Sequence, residues 1–152
     1  MNTLGIDASN SRQTRTTAWS SFLLALVGLA VSVYLAYERL TGSESLACSD
    51  TGVVNCLKVT TSSWSVILGV PVAVAGVAIF AAMTLLCLPI PAIWPLHRLR
   101  IAFGAVGLPM VAWLIYVEIA KVHAICLWCT AVHAITLLLF VSVLWWSRTS
   151  TD

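Results

Sequence analysis

Four long apolar stretches, at residues 18–37, 66–88, 101–122 and 124–146, constrain this chain more than any other feature. A bilayer core about 30 Å thick takes about 20 residues of helix, so each stretch is long enough, or nearly so, to cross it. Only 9% of the 152 residues are charged and 60% are hydrophobic, whereas a soluble domain carries about 25% charge. The expected fold is therefore an all-α membrane protein, a four-transmembrane-helix bundle with an extracytoplasmic loop between helices 1 and 2, folded as one domain. A net charge of +2, with no basic run interleaved with aromatics, excludes nucleic acid as a partner.

The ends of the spans are marked by charge, proline and tryptophan. The first stretch outlasts the 7–15-residue core of a signal peptide and has no small-x-small cleavage site close behind it, so it reads as a retained helix. Pro89 and Pro91 stop the second stretch. Glu118 and Lys121, three apart near the end of the third, are expected to share a helix face and to snorkel to water. Residues 1–17 are expected to form a disordered tail, since their first dozen are rich in Asn, Ser and Thr; residues 149–152 form a second, short tail. Trp19, Trp64, Trp94, Trp145 and Trp146 fall near span ends, where amphipathic rings prefer the headgroups.

Four crossings place both termini on one side. Arg12, Arg15, Arg98, Arg100 and Arg148 fall on that side and Arg39, Lys58 and Lys121 on the other. The positive-inside rule then puts the termini and the 89–100 loop in the cytoplasm and the 38–65 loop outside, in a multi-pass plasma-membrane protein.

Cysteine placement turns this topology toward chemistry. Cys48 and Cys56 lie in the outer loop, separated by seven residues that include Gly52, so the chain can fold back and bridge them. Cys126-Leu127-Trp128-Cys129 opens the fourth span, where unpaired amides and the helix dipole stabilise a thiolate. All four sulfurs are thus expected outside the cytoplasm, where disulfides persist. Each pair alone is ambiguous: a loop disulfide can be a mere staple, and CxxC serves both redox chemistry and metal binding. Cys126, Cys129, His123 and His133 could together supply four ligands to zinc or copper. Two dithiols on one side of one bundle favour redox exchange over a stapled scaffold and over a metal site. Cys87, near the opposite end of the second span, reads as a packing residue, and Gly76, Gly104 and Gly107 read as helix contact points.

In these residues the chain resembles the vitamin K epoxide reductase family, in its small bacterial four-helix form. The resemblance rests on Cys48 and Cys56 with seven residues between, Ser62 six residues later, Trp64, an apolar span, and the Cys126–Cys129 motif opening the last helix. It implies a membrane thiol–disulfide oxidoreductase that oxidises a thioredoxin-fold disulfide oxidase and reduces a quinone, menaquinone or ubiquinone, without a metal. It further implies that Cys48 exchanges with the partner, Cys56 attacks Cys126, and Cys129 lies beside the quinone with Ser62 and His133 nearby. His133 and Val72 stand where animal members have tyrosine and asparagine. Histidine keeps a hydrogen-bond donor there and valine does not, so the implied reaction is quinone reduction rather than epoxide reduction. Ser62 reads equally as the hydroxyl capping the second span, and Pro71 as either a kink or a first-turn proline.

Overall fold

A computed structural model describes residues 3–42, 48, 52–90 and 96–149, with side chains from Arg12 to Arg148. Helix α1 runs Thr3–Thr41 and ends at Gly42, whose φ of 64° supplies the left-handed residue that commonly closes a helix. The segment expected to be a disordered tail is thus helical back to Thr3. It contains no proline, and an established helix extends at little cost per residue. The hydroxyls of Thr16 and Thr17 donate to the carbonyls of Arg12 and Gln13 at 2.9 and 3.1 Å, so these polar side chains bond within the helix rather than against it.

The second apolar stretch departs from its expected span. Leu68 and Gly69 have φ of 53° and 82°, two consecutive positive values that make a two-residue hairpin turn. Strands β1 (Val66–Ile67) and β2 (Val70–Pro71) pair antiparallel around it, Val66 opposite Pro71 and Ile67 opposite Val70. Only α3 (Val72–Leu86) is helical, 15 residues or about 22 Å long. Pro71 sits at its N-cap, so it starts the helix instead of kinking it.

Helix α4 (His97–Tyr116) carries Pro109 inside it and passes into a π-helical turn, Val117–Val122, which His123 ends with a φ of 53°. Helix α5 (Leu127–Thr149) follows. Among the described residues three helical stretches, Arg12–Thr41, His97–Val122 and Leu127–Arg148, are long and apolar enough to cross a membrane; α3 is apolar but shorter. The protein is a helical membrane protein.

Helix α1 packs on α3 and α5, and α4 packs on α5 and on α3. Small residues set the spacing. A Cβ at Gly28 would land on the Phe80 ring, and one at Gly104 would come 2.6 Å from Phe140. Gly107 and Gly76 give looser contacts, at 3.2 Å from Thr136 and Ser32. Ser21, fully buried, shares a 2.7 Å hydrogen bond with Ser142 between α1 and α5. At the end near Trp146 the buried Arg100 donates from Nε to the Leu86 carbonyl at 2.6 Å and lies 3.9 Å over the Trp146 ring. Its charge therefore faces a carbonyl and an aromatic face from within α4, rather than lying in a loop as expected.

Candidate functional site

The loop between α1 and the β hairpin is pinned to the start of α5 by backbone. Ile125 donates to the Val53 carbonyl at 2.8 Å and Asn55 donates to the Ile125 carbonyl at 3.1 Å, a parallel bridge between segments about 70 residues apart. Asn55 then caps helix α2 (Cys56–Thr61), its side-chain oxygen accepting the Lys58 N–H at 2.8 Å. These bonds bring Cys56, at the first turn of α2, to Cys126, at the start of α5. Both are fully buried in one cluster with Leu35, Val117 and Ala124, against which Cys48 and Cys129 also pack. Cys48 and Cys56 are joined by a disulfide with 5.9 Å between their Cα atoms, and Cys126 and Cys129 are free thiols.

Cys126 occupies the N-cap position of α5. Its carbonyl accepts the Thr130 N–H at 2.9 Å, the first bond of the helix, and its sulfur accepts the Cys129 N–H at 3.2 Å. It precedes the membrane-crossing stretch, which starts at Leu127. The Cys129 side chain foremost, with the Cys129 and Trp128 amides, hydrogen-bonds the Cys126 sulfur and holds its thiol below the ordinary cysteine range, against burial and the charge of Glu118. A sulfur in this position is a better nucleophile, or leaving group, at neutral pH.

Beside it lies a cavity of about 570 Å³ between α1, α3, α4 and α5, within the range of small-molecule sites. Most of its wall is apolar, including Val72, Ile79, Phe80 and Met110. Of the four paired cysteines, Cys129 alone lines it. Ser62 and His133, picked out from sequence, line it too, and His133 is 5% exposed, one turn beyond Cys129 on α5. Ser62 does not cap the second span: its hydroxyl donates to the Val59 carbonyl at 2.8 Å, at the end of α2.

Two charged residues in the wall, Arg39 and Glu118, were not expected there. Glu118 is 6% exposed, whereas Lys121 is exposed and lies 5.5 Å from the centroid of the Trp64 ring. The pair does not snorkel together because the π turn, with its wider i→i+5 spacing, rotates the two side chains apart. A carboxylate inside an apolar stretch was the available signal. The metal alternative does not assemble. Among the described residues no three Cys, His, Asp or Glu side chains gather into a metal site, and His123 is exposed, away from the cavity that His133 lines.

A model of the vitamin K epoxide reductase family matches residues 19–144, most of the chain, a stretch that includes all four paired cysteines, Ser62 and His133. Members of that family are membrane oxidoreductases, and this chain belongs to the vitamin K epoxide reductase family.

Proposed function

We propose that the protein takes electrons from a reduced thioredoxin-fold disulfide oxidase through Cys48 and Cys56 to Cys126 and Cys129, and delivers them to a membrane quinone. In this reading the partner's dithiol closes to a disulfide as the Cys48–Cys56 bond opens. The Cys56 thiolate then attacks Cys126 in its disulfide with Cys129; the Cys48–Cys56 bond re-forms and leaves a reduced Cys126/Cys129 pair. That pair closes again as two electrons and two protons pass to the ring, giving the quinol.

The observation that carries this reading is the division of the four sulfurs. Cys129 meets the cavity, Cys56 and Cys126 are wholly buried between, and Cys48 is half-buried in the outer loop. A flat apolar ring suits a cavity of about 570 Å³ with an apolar wall and few polar groups, chiefly Arg39, Ser62, Glu118 and His133. Ser62 and His133 would orient the ring. Val72 in the wall offers no hydrogen bond, which favours a quinone over an epoxide as substrate. The α3 helix, extended by its hairpin, would complete a fourth crossing, with both termini in the cytoplasm and the cysteines outside, in the plasma membrane.

The test is quinone reduction by the detergent-purified protein supplied with a reduced thioredoxin-fold oxidase, in wild type and in Cys129→Ser. Turnover that vanishes in the variant supports the relay and its final sulfur. Absence of turnover with both menaquinone and ubiquinone analogues, in folded protein, would leave a disulfide-stapled membrane scaffold as the better reading.

A further inference from the structure

Closing the Cys126/Cys129 disulfide releases two electrons and two thiol protons, and a quinone needs both of each. Cys129 opens on the cavity, so its proton has a direct way out. Cys126 is fully buried and does not line the cavity, so its proton needs a carrier. Glu118 joins the two places. Its carboxylate accepts the backbone N–H of Cys126, it is close enough for its charge to act on both sulfurs, and it forms part of the cavity wall. Among the described residues it is the only carboxyl group in that wall. The π turn holds it there, with the Glu118 carbonyl accepting the N–H groups of His123 and Ala124, the latter at 3.1 Å.

We propose that Glu118 is a catalytic proton carrier, which takes the Cys126 proton and releases it to a quinone oxygen. This rests on the quinone-reducing reading above. In the step, two S–H bonds break, one S–S bond forms between Cys126 and Cys129, and two O–H bonds form on the reduced ring. One of those protons travels by way of Glu118, which begins and ends as a carboxylate. Two electrons leave the sulfurs and reduce the quinone. Among the described residues, the other ionisable or charged groups in the cavity wall are Cys129 and His133 from α5 and Arg39 from α1, with none from α3; Cys126 lies behind the wall, within reach of the Glu118 charge. Lys121, on the same turn as Glu118, points outward.

The experiment uses the full chain in detergent, fully reduced and mixed with a short-chain ubiquinone analogue in a single turnover, in wild type, E118Q and E118D. Glutamine keeps an acceptor for the Cys126 N–H but cannot carry a proton. E118Q should slow quinone reduction by about 10²-fold, as expected for loss of a general acid–base group, and flatten its pH profile. Reduction of the Cys48–Cys56 disulfide by a thioredoxin-fold dithiol should keep its wild-type rate. A wild-type quinone rate and pH profile in E118Q would overturn the carrier role while leaving the relay standing; a wild type that reduces no quinone would overturn both. Should E118Q fail to fold, E118D decides, since it moves the carboxyl one methylene away. A slowed quinone step with intact exchange supports the carrier, and an unchanged quinone step overturns it.

Discussion

The contact between Gly28 on α1 and Phe80 on α3 allows the packing to be tested with a worked magnitude. Phe80 is 5% exposed, in a cluster with Ala25, Met83 and Leu139. In a water-soluble core, Phe→Ala costs about 3–5 kcal/mol, part of it the transfer of the ring out of water. Here the separated helices leave the ring in acyl chains as apolar as the core, so the transfer part falls away. The cavity part remains, and a hole of about 80 Å³ at about 24 cal/mol per Å³ gives about 2 kcal/mol for Phe80→Ala. Gly28→Leu should cost about 1–3 kcal/mol by overpacking, because its Cβ would come 2.5 Å from Phe80 Cδ1 and 2.7 Å from Cζ. In the double variant the new leucine enters the hole, and the combined loss should fall short of the sum by about 1–3 kcal/mol. Reversible unfolding by SDS in mixed micelles measures all three. Losses that add to within about 0.5 kcal/mol would refute the close approach, and a Phe80→Ala loss near the aqueous figure would refute the lipid reference state.

Two further outcomes follow from polar groups. Ser142 bonds both Ser21 at 2.7 Å and Ser20 at 3.2 Å; interhelical hydrogen bonds in membranes average about 0.6 kcal/mol, so Ser142→Ala should cost about 1 kcal/mol in the same unfolding assay rather than several. In the reduced protein, the pH midpoint for alkylation of Cys126, followed by peptide mass spectrometry, should lie below the ordinary 9.0, because lowering the thiol's pKa raises the thiolate fraction at every pH beneath it. Cys129→Ala removes the foremost cause and should move that midpoint up; an unmoved midpoint would refute the assigned cause.

What the sequence made legible was local. Apolar run length marks the membrane helices, and CxxC marks two thiols at a helix start, because each depends on residues within a turn or two. The hairpin was hidden because its turn sets Leu68, a residue that disfavours left-handed backbone, before Gly69. Glu118 was read as snorkelling because three residues apart means one face in an α-helix, and only the π turn breaks that rule. The glycines named from sequence, Gly76, Gly104 and Gly107, do meet neighbouring helices, but the tightest approach, at Gly28, depends on where α3 places Phe80. The bridge between Val54 and Ile125 was out of reach for the same reason, since it joins two loops that share no local pattern.

That bridge bears most directly on the choice between a relay and a staple. A staple is complete once Cys48 and Cys56 are joined, and it gains nothing from seating Cys56 in the same dry cluster as Cys126. It gains nothing either from an unbonded Cys126 whose sulfur caps a helix, or from a Cys129 that opens on a cavity. Thiol–disulfide exchange has a use for each of these features. Burial keeps stray thiols away from the middle sulfurs, the hydrogen bonds from Cys129 improve Cys126 as a leaving group or nucleophile, and the cavity leaves room beside the last sulfur for the proposed acceptor. The order of the sulfurs in space, from half-buried through buried to cavity-facing, is therefore what the proposed reaction needs and what a scaffold would leave unexplained.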